Sequence, residues 1–188
     1  MSKIDKEIML QGIQMFLKGM GLDLLDQHLI NTPERVCRAW ISEFGRGYFY
    51  TEKDIKELLA VDFSEDYDQM VVVKDIPFLS HCSHHVVPFC GMAKIGYVPK
   101  KKVVGLSKLA RVLDVYACRL QVQERLTNQV ASAIMKYLKP HGVGVVIEAT
   151  HFCMAHRGIR KPGSKMVTSC LLGKMRTDEK MRSEFLNF

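Results

Sequence analysis

The sequence predicts an α+β chain: an antiparallel sheet with a helical pair on one face, preceded by N-terminal helices. Three observations predict it. Residues 122–138 carry Val122, Leu126, Val130, Ile134 and Leu138 in strict steps of four, a single helical stripe. Segments 69–79 and 143–153 are instead dense in β-branched residues, as strands are. Two strands come before the helices and two after them, an order that suits one sheet covered by a helical layer.

Each element follows from local pattern. Over 3–19, Ile8, Met9, Ile13 and Phe16 recur at helical spacing until Gly19 and Gly21 break it. A second helix starts at Thr32-Pro33-Glu34, where Thr32 can cap free N–H groups and Pro33 suits the first turn. Val36, Trp40 and Phe44 share a face of it, and Gly45 and Gly47 end it. Residues 69–79 and 91–98 then read as a hairpin around 80–90. Residues 107–119 and 122–138 read as helices, 143–153 as a strong strand and 166–176 as a weaker one. There is no repeat. The chain divides into an N-terminal helical extension, 1–60, and a domain holding the sheet, 61–188.

Composition narrows the function. At 47% apolar residues, the chain has enough to build a core, yet no run approaches the roughly 18 apolar residues of a membrane span. The start, MSKIDKEIML, mixes charges from its third residue and lacks the plan of a signal peptide, so a cytoplasmic protein with no membrane partner is expected. Six cysteines at irregular spacing do not make a disulfide framework. Cys37, Cys118 and Cys170 have no histidine nearby and read as core filler. The net charge of +7 fits either plain solubility or a polyanionic ligand. The basic run Lys100-Lys101-Lys102 follows Pro99 and reads as a solvated turn, so no nucleic-acid partner is expected.

Chemistry concentrates in two short segments. Ser80-His81-Cys82-Ser83-His84-His85 puts Cys82 and a histidine within one tight turn, a spacing common in metal sites. His151 and Cys153 are two apart on an expected strand and would point to one face. Thiolate with imidazole suits zinc. Three protein ligands would leave a position for water, the mark of a catalytic site, whereas four would close a structural one. Spacing alone leaves His84 and His85 interchangeable. The His-Glu-x-x-His of zinc proteases, the paired motifs of nucleobase deaminases and paired Cys-x-x-Cys knuckles are all absent from the sequence.

Anion binding has no P-loop to rest on. In Gly105-Leu106-Ser107-Lys108-Leu109-Ala110-Arg111, Ser107 can cap a helix whose start favours anions, with Lys108 and Arg111 on one face. An ordinary amphipathic helix explains the same residues. In Gln121-Val122-Gln123-Glu124-Arg125, the Glu124 carboxylate can accept the paired N–H donors of guanine, although a Glu in a first helical turn is also commonplace.

Taken together, Cys82-x-His84-His85, Gly105-Leu106-Ser107-Lys108-Leu109-x-Arg111, Gln121-x-Gln123-Glu124-Arg125-Leu126-Thr127, His151-x-Cys153-Met154 and Arg157-Gly158 resemble GTP cyclohydrolase I in order and spacing, from about Thr32 to Phe185. The resemblance implies a tunnelling fold, a toroidal homodecamer and active sites at subunit interfaces. It implies Zn2+ on Cys82, His85 and Cys153, with His84 and His151 as catalytic proton carriers. Glu124 would anchor guanine with Gln123 beside it. Ser107, Lys108, Arg111 and Arg157 would hold the triphosphate, and Arg35 and Arg38 would reach a neighbouring subunit's substrate. The implied reaction on GTP is hydrolysis at guanine C8, ring opening, formate release and rearrangement to 7,8-dihydroneopterin triphosphate, the first step toward pterins and tetrahydrofolate.

One departure stands out: Ser83 occupies the place of the family's usual Glu. It motivates one alternative, a relative that stops after ring opening at a formylated pyrimidine; a non-catalytic zinc- and nucleotide-binding subunit is a separate one. His81 and His156 fall outside the assigned set and read as surface residues.

Overall fold

The computed structural model describes residues 4–60, 62–64, 67–100 and 102–188, the segment 62–64 by its backbone. Lys3 at the start of the expected first helix, Val61 at the expected domain boundary and Lys101 of the basic run lie outside the described residues. The chain forms two compact units, Met1–Arg46 and Gly47–Phe188. The expected extension, 1–60, thus spans the first unit and the opening elements of the second.

The first unit contains α1 (Lys6–Gly19) and α2 (Thr32–Ala39). Asp5 caps α1 by accepting the N–H groups of Glu7 and Ile8. The apolar face expected on α1 is only partly inward: Leu17 is buried, but Ile8 and Phe16 are exposed. Thr32 does not cap α2. Asn31 holds that position, and the Thr32 hydroxyl donates back to His28 O at 3.3 Å. Pro33 sits at the helix start as expected, and a π-helical turn, Trp40–Phe44, ends the element before Gly45.

In the second unit α3 (Glu52–Ala60) precedes a two-stranded ribbon of β1 (Asp62–Ser64) and β4 (Lys102–Val104). The main sheet holds β2 (Val71–Cys82), β3 (Pro88–Val98), β5 (Leu120–Gln121), β6 (Gly142–His151) and β7 (Met166–Gly173), in the order β5-β2-β3-β6-β7. Every pairing is antiparallel except β5 on β2. The helical pair α4 (Leu106–Ala117) and α5 (Gln123–Leu138) packs on one face. The centre of the α5 stripe forms as the spacing demanded: Leu126, Val130 and Ile134 are completely buried in one core with Val143, Val145 and Ile147 of β6, whereas Val122 is the half-buried N-cap and Leu138 is half-buried. Each completely buried side chain contributes about 1.5–3 kcal/mol.

Several boundaries move, for physical reasons. The strand expected over 143–153 stops at His151, and Phe152–Ala155 turns into the short helix α6. The last rung pairs Phe89 with His151, and β3 has only Pro88 beyond it, so the ladder has no further partner strand. Cys153 therefore approaches from a helical turn, and strand alternation does not orient it. The strand expected over 166–176 stops at Gly173, whose φ of 59° suits glycine, and α7 (Lys174–Thr177) follows. Then α8 (Glu179–Asn187) reaches the sheet face opposite α5, where Phe185 covers Gly96 and Gly144. None of α3, the β1–β4 ribbon, β5 or α8 was foreseen. No described helix is long and apolar enough to cross a membrane.

Candidate functional site

The two ligand-bearing segments meet at one end of the sheet. At the end of β2 the chain makes a tight turn: Cys82 N–H donates to Val87 O, and Val86 N–H donates back to Cys82 O, both at 2.8 Å. Ser83 N–H donates to Gln121 O at 2.9 Å, which ties the turn to β5. Val86 closes it with φ 58°, a conformation that costs a β-branched residue heavily.

This turn aims His85 at the two cysteines. The ligand atoms of Cys82, His85 and Cys153 all lie within 4.8 Å of one another. Cys82 is buried, Cys153 half-buried and His85 exposed, so the group is open on one side. It is the one such group among the described residues. Tetrahedral zinc with bonds of about 2.0–2.3 Å holds its ligand atoms roughly 3.3–3.8 Å apart, within the 4.8 Å span of this group. The donor set also fits a cation. Burial first, and then the neighbouring Cys82 sulfur, push the Cys153 thiol above its ordinary pKa. Two adjacent sulfurs resist joint ionisation unless a cation lies between them.

His84, next in the turn, is exposed, with Nδ1 3.6 Å from Cys82 Sγ and its ring 6.4 Å from that of His85. Arg157 donates from Nη1 to His85 Nε2 at 3.2 Å, so one expected phosphate cation stands directly at the cluster. His151, at the end of β6, is half-buried and stacks flat on Phe89. Burial lowers its pKa more than the Glu124 carboxylate raises it, which favours the neutral ring. Gln123 is buried and its amide oxygen meets His151 Nε2 at 2.8 Å, while Glu124 stays exposed in the first turn of α5.

Ser107, Lys108 and Arg111 lie on the first turns of α4. Gly105, not Ser107, occupies the capping position, and no side chain caps that helix. Arg35 and Arg38 are exposed on α2 in the first unit. His156 is exposed and stacked on Phe152. His81 corrects the surface reading: it is buried, and burial lowers its pKa.

Two supports were missed in the sequence. Phe89 reads there as an ordinary strand residue. Gln121 is buried, donating to Tyr116 O and Gln129 Oε1 and accepting from Arg125 Nε at 2.8 Å. It thereby anchors the strand that holds Ser83. A glutamine in a two-residue strand carries no local signal of that task.

Residues 9–188 match the family model described as GTP cyclohydrolase I. The chain is 54% identical over 170 residues to "GTP cyclohydrolase 1" of Rattus norvegicus, covering 90% of this chain and 69% of that protein. It is 52% identical over 170 residues to the Homo sapiens protein of that name, covering 90% and 67%. Against the Halalkalibacterium halodurans protein of that name it is 46% identical over 188 residues, covering 100% and 98%. A family match over residues 9–188, with relatives 46–54% identical over most of the chain, leads to one conclusion: the chain belongs to the GTP cyclohydrolase I family.

Proposed function

We propose that the protein hydrolyses GTP at guanine C8, opens the imidazole ring, releases formate and rearranges the remainder to 7,8-dihydroneopterin triphosphate. The observation that carries this reading is the convergence of Cys82, His85 and Cys153 from separate segments in a member of this family. Zinc is the metal that suits two thiolates and an imidazole with a side left open. Bound there, it would supply Lewis acidity at neutral pH where water meets the purine.

The chain's own residues divide the remaining work. His84 and His151 carry protons as the ring opens and the leaving groups depart. The Glu124 carboxylate accepts paired N–H donors from guanine. Lys108, Arg111 and Arg157 hold the triphosphate with Ser107. Arg157 also touches His85, so it links phosphate binding to the metal cluster. Family membership supports a tunnelling fold, a toroidal homodecamer and active sites shared between subunits, to which Arg35 and Arg38 contribute from α2. It supports a cytoplasmic setting as well.

Incubating the zinc-loaded protein with GTP tests the proposal. Formate and a pterin that fluoresces after oxidation are expected. Neither product appearing would overturn it. A formylated pyrimidine accumulating instead would show that Ser83 marks an enzyme that stops at ring opening.

A further inference from the structure

Gln123 is only 1% exposed, and both polar atoms of its side chain are engaged. Its Nε2 lies 3.0 Å from Ile147 O, 3.0 Å from Met166 O and 3.1 Å from Thr168 Oγ1. Backbone carbonyls can only accept, so the amide nitrogen must face them and the oxygen must face His151. The hydroxyls around it agree. Thr127 Oγ1 is 2.8 Å from the Gln123 carbonyl, another pure acceptor, and so donates to it. Thr127 and Thr168 hydroxyl oxygens are 2.7 Å apart. With the Thr127 proton committed, Thr168 donates across that contact and its lone pairs face Gln123 Nε2. The ring of hydrogen bonds closes with one direction at every link.

That direction extends to the imidazole. Gln123 Oε1 is an acceptor 2.8 Å from His151 Nε2, so Nε2 must carry the hydrogen. In the neutral ring, Nδ1 then holds the lone pair. Phe89 keeps the ring from turning, with planes 4° from parallel.

We propose that Gln123 is a positioning residue that holds His151 as its Nε2–H tautomer and makes Nδ1 the atom that exchanges protons with the substrate. Gln123 thus acts through His151, and both amide hydrogens are already used and unavailable to guanine. The proton-exchange role rests on the function proposed above; the tautomer does not.

Neutron diffraction from crystals of the full zinc-loaded protein, exchanged into deuterated buffer above the ordinary imidazole range of about 6.5, tests the tautomer directly. A deuteron on His151 Nε2 and none on Nδ1 is expected. A deuteron on Nδ1 overturns the inference. Kinetics test the role. Gln123→Met should lower kcat by about 10- to 100-fold and leave KM for GTP within about threefold. Thr168→Val, which opens the ring while keeping the amide, should shift kcat in the same direction by less and keeps the test available if Gln123→Met fails to fold. KM rising with kcat retained in either variant would make Gln123 a substrate contact and overturn the proposal. If the unaltered protein forms no pterin from GTP, the functional reading fails, and the nuclear map still decides the tautomer.

Discussion

Phe89 and His151 face each other across the last rung of β3 and β6, their rings 4.5 Å apart at the centroids and 4° from parallel. The register alone brings the rings together, and complete burial of Phe89 locks the pair. Phe89→Leu keeps the volume roughly apolar but removes the flat partner. We expect a loss of about 1–2 kcal/mol in urea unfolding and a fall in kcat larger than any change in KM. Unchanged kcat would show that the strand end, without the ring, orients His151.

Cys153→Ser should lose zinc while keeping its circular dichroism, as measured by metal analysis of purified protein. Cys170→Ser is the matched control: Cys170 is a half-buried cysteine packed against the main core and is outside the ligand group. It should retain both zinc and pterin formation. Equal zinc content in the two variants would argue against the assigned ligands.

Chelation should act on stability as well as on activity. A metal that binds only the folded chain stabilises it by about 2.7 kcal/mol at a hundredfold excess over Kd. Removing zinc should therefore lower the urea midpoint, and restoring zinc should return it along with pterin formation. A midpoint indifferent to zinc would mean that the metal is not held by the native turn.

Val86 stores strain in the turn, at φ 58° and with half its surface exposed. Val86→Gly removes the steric penalty and sacrifices little packing. Against the greater chain entropy of glycine, a net gain of up to about 1 kcal/mol is expected in unfolding of the zinc-free protein. A loss would show that the valine side chain itself supports the turn.

On the opposite face, a Cβ at Gly144 would lie 2.6 Å from Phe185 Cε1. Gly144→Ala should cost about 1–3 kcal/mol by overpacking. Adding Phe185→Leu should recover part of that cost, because the two sites share one contact. Additive losses in the double variant would place the strain elsewhere.

What the sequence by itself determined was whatever depends on neighbours along the chain. The α5 stripe, the β-branched strands and the two Cys/His segments all follow from local periodicity and spacing, and each appears close to its expected place. The tertiary structure decided what depends on pairing. Short elements such as β5 and the β1–β4 ribbon have no pattern of their own and exist only because a partner strand satisfies their backbone groups. Spacing left His84 and His85 equivalent, and the strained turn at Val86 gathers His85 with both cysteines. Strand alternation was expected to bring Cys153 to the site, but a helical turn does so, because β3 offers no rung beyond Phe89. The tautomer of His151 depends on two carbonyls and two threonine hydroxyls from β6, β7 and α5. Those groups are far apart in the chain and converge only where the helix packs on the sheet.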